Sequence, residues 1–287
     1  MTVFIKSFAA AFSLLLIFPS LMMASDTIEW IIVDYPPIYI NEGPDKGEGI
    51  LNKITELAIK HLPEYQHKIS VANINRTMLD FEQKKCVCTM GMIKTDEREK
   101  AAYFSTVPST LLSKNKIIVR KEDRGLFGDS DTVSLEALIQ NKSLRLGLTS
   151  NISHGKEADA IIDKYKSQAN IFYRKGTSVL EGLIQMLLMK RIDYLITLPW
   201  MAEYLLKPEE RELLSFLAIK ECPEIIIYHS LCAKTEWGQN VIKKIDAFLL
   251  KERATPLYRS YMEKWMPKDT LADFRLMYDT EFLNIKK

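Results

Sequence analysis

Apolar runs of strand length alternate along this chain with segments whose apolar residues recur every three or four positions. The first run covers residues 28–33 and is stopped by Asp34 and the Pro36-Pro37 pair, which predicts a strand ending in a turn. A helix is predicted from Ile50, with Ile50, Ile54, Leu57 and Ala58 on one face and Pro63 beyond its end. Residues 69–74 then read as a strand, 77–85 as a helix and 86–92 as a third strand. This β-α-β-α-β order predicts a parallel sheet with right-handed crossovers.

After Ser105 the pattern changes. Pro108 and a stretch of small residues lead into a strand over 116–120, and residues 121–131 form a charged, glycine-containing surface loop. A second alternating series follows. Ser134 caps a helix through Asn141, residues 144–148 are a strand, 153–165 a helix and 170–173 a short strand. Ser178 and Glu181 have the spacing of a capping box ahead of Leu183, Met186 and Leu187. Residues 192–197 read as a strand, and Pro199 suits the first position of a helix through Leu206. Strands are expected over 215–219 and 225–232, separated by Glu221-Cys222-Pro223-Glu224. Helices follow from Trp237, from Thr255-Pro256 and around 271–283.

Residues 1–24 stand outside this pattern. Lys6, an apolar core over 8–18, the Pro19-Ser20 break and Ala24 predict an export signal cleaved near Ala24. The apolar run is too short for a membrane span, and no Cys near the cut would carry a lipid. A soluble, periplasmic protein is therefore expected. At 287 residues the chain exceeds one average domain, and its 47% hydrophobic content is ample for packed cores. Lys+Arg 39 against Asp+Glu 37, with no long basic block, gives no reason to expect nucleic acid or an anionic membrane as partner. A monomer without a cofactor is the expectation.

Export would place Cys86, Cys88, Cys222 and Cys232 in an oxidising compartment. Cys86 and Cys88, two apart in a strand, point to one face. A C-x-C pair without a second close pair or a nearby His is a weak metal signal, and no metal site is expected.

The densest chemistry lies between Cys86 and Ser105, CVCTMGMIKTDEREKAAYFS. An apolar strand passes Gly91, turns at Lys94-Thr95 and enters a charged helix-prone segment. Thr95 is a good N-cap, which puts Arg98 about one turn into a helix, beside amides lacking intrahelical partners. A guanidinium there makes a site for a carboxylate. The plain alternative is a surface Arg solvating its helix.

G-M-I-K-T-D-E-R-E-K followed by Y-F-S resembles the signature of family 3 extracellular solute-binding proteins, the periplasmic partners of amino-acid importers. Asp34-Tyr35-Pro36-Pro37, Gly47-Glu48-Gly49-Ile50-Leu51 and Tyr261-Met262-Glu263-Lys264-Trp265 agree with it in order. The resemblance implies an α/β, two-lobed fold of the periplasmic-binding-protein type (type II), each lobe a mostly parallel sheet flanked by helices, with two hinge crossings. Those crossings map near Pro108 and Pro223. Lobe one would be 26–108 plus 224–287, and lobe two 109–223. In that topology the returning strand lies beside the third strand, which makes Cys88–Cys232 the preferred disulfide and Cys86–Cys232 the second choice.

Ligands of open α/β sheets sit beyond the carboxyl ends of the strands. Those ends offer Asp34, Tyr35, Gly91, Thr95, Arg98, Asn151, Ser153 and Trp200, with Phe104 and Tyr39 as further aromatic wall. The resemblance implies that Arg98 holds a ligand carboxylate. Two departures matter. Ile93 stands where the family has a hydroxyl, and Leu198 stands where it has the carboxylate that holds an α-ammonium. A buried ammonium without a counter-charge would be costly, so the expected ligand is a small carboxylate-bearing solute of atypical kind. Its partner would be an ABC permease or a membrane sensor. Two other readings compete. One is a dehydratase-like enzyme on the same frame, with Glu203, Glu221 and His229 as acid/base candidates. The other is an interaction protein that has lost its ligand.

Overall fold

The computed structural model describes residues 26–285, so the export signal expected over 1–24 lies outside the described residues. Within them the chain builds two sheets, and each anchors one lobe.

The first lobe starts with β1 (Thr27–Val33), α1 (Ile50–His61), β2 (Gln66–Ala72), α2 (Ile74–Glu82) and β3 (Val87–Met92). β1 pairs in parallel with both β2 and β3, as the alternating pattern predicts. α1 buries Ile50, Leu51, Ile54 and Ala58 against the sheet. β2 and α2 begin earlier than expected, because Asn73 accepts a hydrogen bond from the Arg76 amide and caps α2 ahead of Thr77. The single-turn α3 (Arg98–Ala101) leads straight into β4 (Ala102–Ser113), a long strand that the sequence pattern did not reveal.

β4 carries the first sheet through Pro108 as far as Ser113. Pro108 is tolerated because β4 is the sheet's edge strand, in the order β2-β1-β3-β11-β4. Its partner is the returning strand β11 (Ile225–Ala233), antiparallel, with the register slipping beside Pro108. Two serines of β4 are bonded to β11. Ser109 Oγ donates to the Tyr228 carbonyl at 3.2 Å, and Ser105 Oγ accepts from the Ser230 amide at 3.0 Å.

The second sheet has the order β6-β10-β5-β9-β7-β8. It is assembled from β5 (Lys116–Arg120), β6 (Thr132–Val133), α4 (Leu135–Gln140), β7 (Leu146–Thr149), α5 (Lys156–Tyr165), β8 (Ile171–Arg174) and α6 (Val179–Leu188). β9 (Tyr194–Thr197), α7 (Pro199–Leu205), α8 (Pro208–Arg211) and β10 (Leu214–Ile219) complete it. Ser134 caps α4 as expected, and Pro199 opens α7. The Ser178–Glu181 capping box does not form. Ser178 takes a left-handed conformation (φ 46°) and its side chain makes no cap bond.

The chain then returns to the first sheet through β11, and α9 (Glu236–Glu252), α10 (Pro256–Glu263) and α11 (Leu271–Met277) pack on it. α10 holds the edge strand, since buried Tyr258 donates to the Ser109 carbonyl at 2.6 Å. β11 also pairs with β3, placing Cys232 opposite Cys88, and these two form the disulfide. Cys86 and Cys222 are free. A polar lock braces the second lobe. Asp193 accepts from Arg120 at 3.1 Å and from Arg145 at 2.9 Å, with both Arg120 and Asp193 buried. Among the described residues no helix is long and apolar enough to cross a membrane.

Candidate functional site

The carboxyl ends of β1 and β3 face the carboxyl end of β7 and the loop after it, and two adjoining cavities lie between them. Tyr35, Ile74 and Ile152 line both. The smaller, about 40 Å³, surrounds Arg98 and is otherwise apolar apart from Ser153 and the phenols of Tyr35, Tyr39 and Tyr228. The larger, about 320 Å³, is at the low end of the range for ligand cavities.

Arg98 is 8% exposed. One guanidinium nitrogen donates to the Ile93 carbonyl at 2.8 Å, and another reaches across the cleft to the Asn151 carbonyl at 2.9 Å. Among the described residues no carboxylate pairs with it. Burial accordingly lowers the Arg98 pKa, an effect the Tyr228, Asp159 and Glu97 charges only partly offset. Thr95 Oγ1 accepts from the Arg98 amide at 3.3 Å, as its place before the turn predicts. The helix it starts is a single turn, so the expected bank of helix amides around the guanidinium does not exist. Arg98 is held by carbonyls instead.

Gly91 serves the cavity through its bare Cα. A Cβ there would stand 3.0 Å from the Tyr228 ring and collide with Leu51. Tyr35 lies in both cavities, and burial pushes its phenol up to about 12. Tyr39 is committed inward: its hydroxyl lies 3.2 Å from Thr89 Oγ1 and accepts from the Met90 amide at 3.3 Å. Ser153 lines the small cavity, but its hydroxyl donates to Asp159, which also accepts from the His154 amide at 2.7 Å. Asp34 lines the larger cavity.

Asn151 acts through its backbone. Its φ of 63° presents the carbonyl to Arg98, while its side-chain Nδ2 donates to Asn75 Oδ1 across the cleft. Two expected wall residues lie elsewhere. Phe104 is half-buried against the cluster that holds Ile31 and Val87 and lines neither cavity. Trp200 is 4% exposed in the core between the lobes, and its indole donates to Ser113 Oγ at 3.2 Å. Leu198 is 3% exposed in the same core and lines neither cavity. Tyr228 was not foreseen; its position midway along an apolar strand gave no sign that it reaches the cleft floor.

The acid/base candidates are dispersed. Glu221 accepts from Ser134 Oγ at 2.6 Å and the Leu135 amide at 2.9 Å, which makes it part of the α4 cap. His229 Nδ1 is bonded to the Ser105 carbonyl at 2.8 Å. Burial raises the Glu203 carboxyl, but Glu203, Glu221 and His229 line neither cavity.

No protein-family model matches the chain, and no curated protein sequence does. Solved structures do. An ancestral arginine-binding protein bound to arginine superposes with a TM-score of 0.65 at 17% identity, covering 85% of this chain and 100% of that one. A putative L-cystine ABC transporter protein from Listeria monocytogenes gives 0.65 at 16% identity, covering 85% and 97%. A histidine kinase sensor domain similar to periplasmic binding proteins gives 0.63 at 12% identity, covering 84% and 96%. At these identities the likeness is one of architecture: the chain has the two-lobed fold of the periplasmic binding proteins.

Proposed function

We propose that this protein captures a small carboxylate-bearing solute between its lobes and presents it to an ABC permease or a membrane sensor outside the cytoplasm. One observation carries the reading: a buried guanidinium bridges the lobes with no carboxylate among the described residues to neutralise it. A charge taken out of water is stabilised far better by an ionised partner than by carbonyls alone. Two of its N–H groups are engaged, and the others are free for a bidentate acid. The neighbours named as arginine and cystine proteins and as a kinase sensor domain make an importer or a sensor the natural partner.

The division into lobes belongs to the same reading, with the first crossing just past the end of β4 and not at Pro108. The chain passes between the sheets at 114–115 and 220–224, where Lys114 pairs with Glu224 at 2.7 Å, and closure would pivot there. An ordinary α-amino acid is disfavoured, because the small cavity has no acidic lining residue for an ammonium and Leu198 is packed in the core.

Calorimetry against the standard amino acids and a panel of simple carboxylic acids tests the proposal. Arg98→Ala should weaken acid binding by roughly thirty-fold to several-thousand-fold, the equivalent of about 2–5 kcal/mol. Circular dichroism should show the fold retained. Unchanged affinity in Arg98→Ala would remove the anchor, and tight binding of an α-amino acid would remove the specificity.

A further inference from the structure

The larger cavity carries charge that the carboxylate anchor does not use. Its second-lobe wall is the end of β7, with Thr149 and Ser150, and the turn from β8 into α6, with Arg174, Lys175 and Thr177. β7 and β8 pair with Thr149 opposite Arg174, and the Ser150 amide donates to the Arg174 carbonyl at 3.0 Å, so these groups form one rim. Gly182 lets the Arg174 guanidinium lie over the first turn of α6, where a Cβ would collide with it. Among the described residues neither Arg174 nor Lys175 has a carboxylate partner. Arg76, from the first lobe, is already paired with Asp80.

Two further features mark the rim. α6 begins without a side-chain cap, so its first amides are left to an external acceptor. Ser150 lines the cavity, is 6% exposed, and its hydroxyl has no hydrogen-bond partner among the described residues. A buried hydroxyl is ordinarily satisfied, and here an occupant would satisfy it. Asp34 is the one acidic lining residue, and its Oδ1 accepts from Asn41 at 3.4 Å.

We infer that the larger cavity is an anion subsite built by Ser150, Arg174, Lys175 and the start of α6, so that the solute is a diacid. This rests on the reading of the cleft as an acid receptor. The first acid group meets Arg98, the second meets the Arg174 rim, and the apolar residues shared by the two cavities, Val33, Ile74 and Ile152, cover the carbons between them.

Calorimetry on the purified protein with succinate and glutarate, butyrate and valerate, and γ-aminobutyrate decides it. Each diacid should bind more tightly than the monoacid of equal length. In Arg174→Gln/Lys175→Gln that ratio should fall about tenfold, as expected for losing a charge-assisted contact at an exposed rim. Gly182→Ala, which displaces Arg174 while suiting a helix, should move the ratio the same way. No diacid preference, a preference that survives Arg174→Gln/Lys175→Gln, or tighter binding of γ-aminobutyrate through Asp34 would each overturn the subsite. Diacid binding that is unaffected by Arg98→Ala but lost in Arg174→Gln/Lys175→Gln would sink the carboxylate anchor and leave the subsite standing. Failure of all these acids to bind would overturn both.

Discussion

At the small cavity the first lobe presents one cation, Arg98, buried and fixed by carbonyls at 2.8 and 2.9 Å. The second lobe presents its cations, Arg174 and Lys175, on an exposed turn. A charge held in a dry, fixed position discriminates strongly between partners, because misplacing one leaves it unpaired. An exposed charge attracts anions but is screened by water and salt. The lobes are also braced differently. The first has the Cys88–Cys232 bond between neighbouring strands, and the second has the Arg120–Asp193–Arg145 lock. The buried cation and the covalent brace are in one lobe, and the exposed cations and the ionic brace are in the other.

The largest effect should come from the ionic brace. Asp193→Ala leaves buried Arg120 with Asp123 as its remaining carboxylate, strips Arg145 of its own, and should cost roughly 3–5 kcal/mol, read as an earlier denaturant midpoint for the second lobe. The same carboxylate sets a pH dependence. Burial by itself raises the Asp193 pKa, but hydrogen bonds from the Arg145 side chain and amide and from Arg120 outweigh it, so the net shift is downward. A depressed folded pKa gives stability that is complete above the unfolded value, near 4, and is lost as pH falls through the folded value. Amide exchange should therefore show second-lobe protection falling below about pH 4 in the wild type, and this acid sensitivity should be absent in Asp193→Ala.

Removing the covalent brace with Cys88→Ala/Cys232→Ala should cost roughly 2–5 kcal/mol, since the bond closes a loop of 144 residues in sequence. The loss should appear in first-lobe exchange. If second-lobe protection fell equally, the lobes would be one cooperative unit and the contrast in bracing would lose its meaning.

A smaller effect is expected for Leu198→Asp. Exposing or hollowing out a buried Leu costs about 2–3 kcal/mol, and an Asp at this N-cap of α7 would recover about 1 kcal/mol. A net loss of at least roughly 1–2 kcal/mol, without new affinity for an α-ammonium, is the expected result. Gain of amino-acid binding on calorimetry would show that the second lobe needs only that carboxylate to recover an amino-acid site.

Much of the fold was legible from local pattern. The alternation of β1 through β3, the caps at Ser134 and Thr255, and Pro199 at the start of α7 are short-range signals. The edge strand β4 was not legible, because Pro108 and a run of small polar residues read as a break. Only pairing with β11 gives its serines their partners. The Ser178 cap failed for a related reason. The spacing was right, but the backbone of the β8–α6 turn takes a left-handed path at that residue.

The sequence by itself determined the α/β alternation and the place of Arg98 just beyond β3, because residue type and nearest-neighbour spacing carry that information, whereas the Cys88–Cys232 pair needed the family resemblance to set β3 beside the returning strand. The tertiary structure alone decided that Asn151 answers Arg98 through its carbonyl, that Tyr228 reaches the cleft, that Phe104, Trp200 and Leu198 line neither cavity, and that Ser150 joins the Arg174 rim. The physical reason is the same in each case. Which way a side chain faces depends on what its strand pairs with and which lobe packs behind it, and those partners lie far away along the chain.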